Sequence, residues 1–490
     1  MPSGRALVTD PGARGGALTW AELERSSGGL AQRLSEAVRS VGTARCAIEI
    51  GNDNAPATLL ALIAALRTDL PVILRDQFAP AAEQEAVREE LRRAGVSIVA
   101  VLAEGETGIR LETAHRAVPE RISSATRTGL PAHALVLSSG GTTGRPKLIV
   151  DTALRRPGAP APHMRMTARL NWAADQIQLV TGRLHHAAPL TFFVHGLTDG
   201  NCLVVPPRFA PSTAVALIED QRVNWLEAAP VHLQRMAAWL ERHPADLGCL
   251  RGLLHMSAPC PPAVKSFWVG LLGPGRVFEI YGASEGIGVT IASGEEWLTR
   301  PGTVGRGFLT RIRILDEAMI PQRPGASGLV FMRSLAGTPS SAYLVPTAGI
   351  RHSPDGFRSV GDRGHLDQDG YLYLEPRRVD LINVGGQNVY PAEVEKILTK
   401  CRGVADAAVV GGPDARMGTR PVAFVSRWPQ ARLSEREIIA FCQKYLARFK
   451  LPMRIYFVDE IPHNAAGKID RKKLLNMANA SHPELSEPGG

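Results

Sequence analysis

The sequence predicts an α/β protein: a large N-terminal domain of mixed and parallel sheets covered by helices, followed by a small α/β domain. Three observations carry this. At 490 residues the chain is too long for one ordinary core, and its length suggests two to four structural units. Its opening third alternates segments of helical and strand period, the βαβ rhythm that lays helices on a mainly parallel sheet. Its 48 glycines and 36 prolines supply the many turns such connections need. No repeat of about 20 to 50 residues is visible, which excludes a solenoid.

Taken in order, Thr19 followed by Glu22 forms a capping box that opens a helix running through Leu34. A strand at Cys46–Ile50, a helix over Asn54–Leu66 and a short apolar strand at Pro71–Leu74 come next. A charged helix over Pro80–Ala94 leads to the β-branched run Val96–Val101. Later strands fall at Ala134–Leu137 and Arg276–Ile280. A boundary is expected near Glu375-Pro376-Arg377-Arg378, dividing residues 1–377 from 378–490. The second part has its own pattern: helix Pro391–Thr399, strands near Val404–Val410 and Val422–Ser426, helix Ser434–Phe449 and strand Arg454–Val458. The tail Ser481–Gly490 is polar with Pro and Gly, and is expected to be disordered.

Composition narrows the function. With 44% hydrophobic and 21% charged residues the chain reads as a globular protein in water. The uncharged stretch Ala55–Leu66 is shorter than the roughly 20 residues a bilayer requires. No charged start leads into an apolar signal segment, so a cytoplasmic enzyme without a membrane span is expected. The net charge of +9 comes from 56 Lys and Arg against 47 Asp and Glu. These basic residues are dispersed rather than set in a stripe with aromatics, which argues against nucleic acid. Polyanionic small molecules suit them, and so does a plain solvated surface. The six cysteines (Cys46, Cys202, Cys249, Cys260, Cys401, Cys442) contain no CxxC pair, so reduced thiols are expected rather than a zinc site.

The strongest local signal is Ser138-Ser139-Gly140-Gly141-Thr142-Thr143-Gly144-Arg145-Pro146-Lys147, directly after an apolar strand. Small residues let backbone N–H groups approach phosphate oxygens, the hydroxyls add donors and Lys147 adds positive charge. It is not a Walker A loop, because GK[ST] is missing. That absence also counts against a P-loop kinase, since the sole Gly-Lys pair, Gly467-Lys468, is followed by Ile469.

With this loop the chain resembles the adenylate-forming superfamily: acyl-CoA synthetases, aryl-acid adenylating enzymes, peptide-synthetase adenylation domains and luciferases. The resemblance recurs in order down the chain. Thr19–Leu34 is similar to the family's N-terminal helix, and Ser139-Gly140-Gly141-Thr142-Thr143-Gly144 to its phosphate loop, in the variant found in enzymes that activate aromatic acids. Pro189–Leu197 resembles the acyl-pocket motif, which places Phe193 at a gating position and His195 nearby. A core aromatic is the commoner fate of a Phe, and a satisfied structural histidine is an open reading of His195. Met256-Ser257-Ala258-Pro259 stands where the family has a Gly-Gly-Ala turn beside adenine, a departure that either reshapes the acid pocket or only alters the loop.

The resemblance assigns further roles. In Tyr281-Gly282-Ala283-Ser284-Glu285-Gly286 it implies that Tyr281 packs on adenine, Ser284 contacts phosphate and Glu285 holds Mg²⁺. An aromatic face suits a purine and a carboxylate suits magnesium. Asp362 matches the residue that grips both ribose hydroxyls, and Arg377 a ribose-contacting Arg. The hinge falls at Val379, where the family has Asp or Lys, or at the adjacent Asp380. Gly385-Gly386 in the run Val384–Glu395 resembles the thioester-forming segment of CoA ligases, where a glycine admits the pantetheine arm. Lys468, in Gly467-Lys468-Ile469-Asp470-Arg471, matches the catalytic Lys of a mobile C-terminal domain.

Together these imply ATP, Mg²⁺ and, as acceptor, coenzyme A. A carboxylic acid, aromatic or compact, would displace pyrophosphate from ATP, with Thr143, Lys147, Glu285 and Lys468 serving catalysis. A carrier protein, an amine or another small nucleophile stays open as acceptor. So does a binding protein on a decayed ligase fold, against which stands the presence of Thr143, Lys147, Glu285, Asp362, Arg377 and Lys468. Residues 151–170, with three prolines at Pro157, Pro160 and Pro162, form a connector of no legible purpose.

Overall fold

The computed structural model describes residues 4–9, 16–39, 46–79, 81–105, 108–113, 130, 133–139, 147–152, 154, 166–174, 176–335, 341–344, 350–375, 382–384, 387–414, 418–464 and 468–480. Gly140, Gly141, Thr142, Thr143 and Gly144 of the phosphate loop lie outside these residues. So do Arg377, Val379, Asp380, Gly385, Gly386, the tail 481–490 and most of the Pro-rich connector. The chain divides into two compact units, Met1–Gly361 with Leu366–Tyr373, and Asp362–His365 with Leu374–Gly490.

The first unit contains two large sheets. A nine-stranded sheet has six adjacent parallel strands in the order Val277–Gly282, Gly252–His255, Trp225–Ala228, Ile177–Val180, Cys202–Val204 and Arg5–Val8. Antiparallel strands close both flanks, Val289–Ser293 with Arg306–Phe308 at one and Ala17–Thr19 at the other. A seven-stranded sheet has a parallel centre of Leu135–Ser139, Val72–Asp76, Cys46–Asn52 and Ser97–Gly105. Its antiparallel margins are Gly108–Thr113 on one side, and Lys147–Asp151 followed by Ser341–Tyr343 on the other. The expected parallel rhythm thus holds at the centres, and antiparallel strands make the sheets mixed. A smaller antiparallel sheet includes Thr310–Leu315, Gly328–Ser334, Arg351–His352 and Arg358–Ser359.

One apolar cluster draws on both large sheets. Helix Trp20–Arg39 contributes Leu23, Leu30 and Leu34, helix Pro56–Leu66 contributes Leu59 and Leu62, and the strands contribute Leu7, Ile48, Leu74, Leu135 and Leu203. The capping box forms as read: Thr19 N donates to Glu22 at 2.8 Å and Glu22 N donates back to Thr19 Oγ1 at 3.3 Å. The second helix is apolar on nearly every side, which is the pattern of a helix buried all round. No described helix is long and apolar enough to cross a membrane.

In the second unit, strands Val404–Asp414 and Gly418–Arg427 pair antiparallel, and Arg454–Phe457 adds a parallel third. Helices Pro391–Leu398, Glu435–Cys442 and Arg471–Ala480 complete it. The helix expected over Ser434–Phe449 stops at Cys442. A residue before proline avoids helical backbone, and Leu451, before Pro452, is extended with ψ 133°. Between the helix and Leu451 the chain passes through a 3-10 turn at Arg448–Lys450, and Leu446 and Leu451 both enter the core.

Candidate active site

The site is built at the carboxyl ends of parallel strands, where open α/β sheets bind ligands. Strand Val277–Gly282 runs two residues further than expected, so Tyr281 and Gly282 lie within it, Tyr281 opposite Thr290. Gly282 has little freedom to change, since a Cβ there would stand 3.2 Å from the Gly288 carbonyl oxygen. The chain then turns tightly, Gly286 N donating to the Ala283 carbonyl at 2.9 Å with Gly286 at φ 60°. This turn exposes Ser284 and leaves Glu285 half-buried. The neighbouring parallel strand, Gly252–His255, delivers Met256, Ser257 and Ala258 beside it. Ser257 has φ 79°, so the backbone keeps a conformation that favours glycine although the residue is serine.

Glu285 is held by a residue that no motif had marked. The Tyr343 hydroxyl donates to Glu285 Oε1 at 2.7 Å. Tyr343 ends the edge strand paired with Lys147–Asp151, and the Lys147 ammonium lies 5.4 Å from its ring centroid, a cation–π contact. Burial, and then the bond to the Glu285 carboxylate, push the Tyr343 phenol above its usual pKa, so it stays a donor. Arg358 donates to the Gly286 carbonyl at 2.8 Å and fixes the turn from behind. Burial lowers that guanidinium's pKa, while the nearby Glu285 carboxylate acts the other way. Lys147, at the start of its strand, and Glu285, in the turn after Val277–Gly282, are thus bridged by Tyr343, across two different sheets.

Magnesium fits this donor set in a limited way. Glu285 offers hard carboxylate oxygen, and no group of three potential ligands exists among the described residues. The residues suit an ion that takes most of its coordination from phosphate and water.

The expected acid-pocket residues separate. Phe193 is fully buried in the cluster shared by the two large sheets, so in this structure it is a core aromatic. Phe192, one position earlier on helix Ala187–Thr198, faces the other way and packs on Trp172 and Trp225. His195 is buried on that side, edge-on to the Phe192 ring at 6.0 Å. The helix sits close to the sheet because position 196 is glycine: a Cβ there would meet Gln178 Oε1 at 2.4 Å. Met256 is half-buried against the same cluster of Phe192, Trp225, Leu254 and Ile280, and Ser257 is exposed.

In the second unit, Asp362 is half-buried and Lys468 is exposed. The Lys468 backbone is pinned by Asn464, whose Oδ1 accepts from Lys468 N at 3.0 Å and whose N donates to the Lys468 carbonyl at 2.7 Å. Arg471, three residues on, donates to Glu395 at 2.8 and 3.2 Å and to the Val409 carbonyl at 2.6 Å. Glu395 closes the segment containing Gly385 and Gly386, whose flanking strands Ile382–Val384 and Gln387–Val389 pair antiparallel. One carboxylate therefore anchors both motifs of this unit.

Comparison with known proteins places the chain in a family. The AMP-binding enzyme family matches residues 2–339, and the AMP-binding enzyme C-terminal domain matches residues 393–468. The chain is 32% identical over 352 residues to the 3-[(3aS,4S,7aS)-7a-methyl-1,5-dioxo-octahydro-1H-inden-4-yl]propanoyl:CoA ligase of Mycobacterium tuberculosis, covering 70% of this chain and 66% of that protein. It is 27% identical over 468 residues to the 2-succinylbenzoate–CoA ligase of Bacillus pumilus, covering 93% and 92%. The o-succinylbenzoate CoA synthetase of Bacillus subtilis, solved with its acyl-adenylate intermediate, shares the fold at TM-score 0.71 and 23% identity, over 97% and 96% of the two chains. The chain belongs to the AMP-binding enzyme family, within the adenylate-forming superfamily. It is a ligase of the kind that activates a carboxylic acid as its adenylate.

Proposed function

We propose that the chain joins a compact or aromatic carboxylic acid to coenzyme A at the expense of ATP, through an acyl-adenylate. The observation that carries the reading is the Lys147–Tyr343–Glu285 bridge, which gathers a cation and a hard anion beside the Tyr281 strand end. The relatives are CoA ligases, one of them matched over nearly the whole chain, and this supports the thiol acceptor.

In the first half-reaction a carboxylate oxygen of the acid attacks the α-phosphorus of ATP. The new P–O bond forms as the bond to pyrophosphate breaks. Tyr281 offers its face to adenine, Asp362 its oxygens to the ribose and Arg377 a further ribose contact. Ser139, Gly140, Gly141, Thr142, Thr143, Gly144 and Ser284 donate to the phosphates, and Ala258, Gly282 and Ala283 border the adenine. Lys147 and Lys468 stabilise charge that develops in the transition state. Glu285 would hold Mg²⁺, which supplies charge neutralisation on the phosphates when bound. In the second half-reaction the thiolate of coenzyme A attacks the acyl carbonyl and AMP leaves. Residues 378–490 act as a mobile domain, turning about 377–380 so that Lys468 leaves and Gly385-Gly386 line the thiol's approach. Met256 and Ser257, with His195 behind them, bound the acid. The setting that suits ATP, coenzyme A and unpaired cysteines is the cytoplasm.

The test is acid-dependent pyrophosphate release over aryl, short-chain and long-chain acids, with and without coenzyme A, and the product identified by mass. Coenzyme A-dependent turnover giving an acyl-CoA supports the reading. Adenylate formation that coenzyme A leaves unaltered assigns another acceptor.

A further inference from the structure

One buried carboxyl group has no task in this chemistry. Glu227 lies near the carboxyl end of strand Trp225–Ala228, inside the six parallel strands, flanked in register by Val180 and Leu254. Side chains alternate along a strand, so Glu227 shares a face with Trp225. On the neighbouring strand Leu254 continues this face to Met256. Trp225, Leu254 and Phe192 form one cluster there, with Met256 packed against it. Glu227 therefore sits in the layer between sheet and helix Ala187–Thr198, one strand from Met256.

Glu227 is 2% exposed, and its Oε2 has no hydrogen-bond partner among the described residues. Its backbone carbonyl is satisfied by Thr181, through N at 3.3 Å and Oγ1 at 3.2 Å, so the strand end is fixed. The other deeply buried glutamates of the sheets each face a basic side chain: Glu49 pairs with Arg75 at 2.7 Å, and Glu279 with Lys265. Among the described residues no such partner faces Glu227. Burial alone raises its pKa to about 8, so it holds its proton at neutral pH. A buried polar group without a partner costs free energy, which calls for an explanation in a native fold.

We propose that Glu227 is the specificity-determining residue of the acid site, accepting a hydrogen bond from a hydroxyl or amino substituent on the body of the substrate acid. The inference rests on the acid-activating reading above. An apolar pocket takes its selectivity from a few placed polar groups. A substrate that lacks the matching donor leaves the carboxyl unpaired and is rejected strongly, whereas apolar contacts discriminate weakly.

The experiment compares kcat/KM for pyrophosphate release across benzoate- and cinnamate-type acids bearing a ring hydroxyl, a ring amino group, a methyl group or none. The wild type should favour a donor-bearing acid over its methyl isostere by about tenfold or more. In Glu227→Leu that ratio should fall towards one. In Glu227→Gln, whose amide oxygen still accepts, most of it should remain. The hydroxyl and amino series distinguish the two donors. Should Glu227→Leu not fold, Glu227→Met carries the same comparison. A leucine or methionine variant that keeps the wild-type ratio overturns the proposal, as does a wild type indifferent to the donor. Wild-type silence with every acid instead overturns the acid-activating reading, and the inference with it.

Discussion

The Tyr343 hydroxyl donates to Glu285 Oε1 at 2.7 Å, tying the edge strand of the seven-stranded sheet to the loop that leaves the nine-stranded one. The bond occupies one carboxylate oxygen and orients the other. It also sets the aromatic ring under the Lys147 ammonium, so one side chain positions both the anion and the cation.

Tyr343→Phe keeps the ring and removes the hydroxyl. A hydrogen bond to a charged group contributes roughly 1.5–3 kcal/mol, so adenylation kcat/KM should drop about tenfold or more. The Mg²⁺ concentration for half-maximal rate should rise with it, because a freely rotating Glu285 is a poorer ligand. Titrating Mg²⁺ in the pyrophosphate-release assay separates this from general damage. An unaltered Mg²⁺ curve in a slowed enzyme would remove the positioning role.

Lys468 is exposed and its backbone is pinned by Asn464, which suits the catalytic role proposed above. Lys468→Ala should lower adenylation by about a hundredfold or more, the scale of losing one preorganised donor. Thioester formation from a supplied acyl-adenylate should persist near the wild-type rate. Native-rate adenylation by the variant would show that the charge is stabilised elsewhere.

Gly252 faces Trp225, where a Cβ would meet the indole at 2.6 Å and the Leu170 carbonyl at 2.8 Å. That carbonyl already accepts from Trp225 Nε1 at 3.0 Å. Gly252→Ala should therefore displace Trp225 from the sheet face that carries Glu227, costing about 1–3 kcal/mol. Thermal melting followed by tryptophan fluorescence should show a lowered midpoint and an altered native emission. A native spectrum matching the wild type would mean that the face accommodates the methyl group.

The readable parts of this chain were those in which local chemistry repeats. Thr19 and Glu22 cap a helix by reach alone, and the apolar run after Pro56 has no alternative to burial. The turn Ala283–Gly286 follows a strand directly, so motif and geometry coincide. Tyr343 could not be found this way: it is a lone aromatic in a segment without period, and its role depends on pairing with Ile149, far away in sequence. Phe192 and Phe193 differ by about 100° around a helix, so they enter different buried clusters, which counting along a motif cannot tell apart. Glu227 did leave a trace, a charged residue in the otherwise apolar Trp225–Ala228. Only burial without a cation showed that it was no ordinary ion pair.

Glu227 also makes a prediction about stability. Its carboxyl ionises near the usual 4.5 when the chain is unfolded and at about 8 when folded. Between these values the native state keeps a proton that the unfolded state has released. Stability then falls as pH rises through this window and levels off above about 8. Glutamine cannot ionise, so Glu227→Gln should lack this loss: the two proteins should be similar near pH 5, and the variant the more stable near pH 8. The upper bound of the difference is a few kcal/mol, since water reaching the site would reduce it. Urea unfolding at several pH values measures it. Parallel curves for both proteins would show that Glu227 ionises freely in the folded state, which would withdraw the isolated carboxyl on which its role as a substrate contact depends.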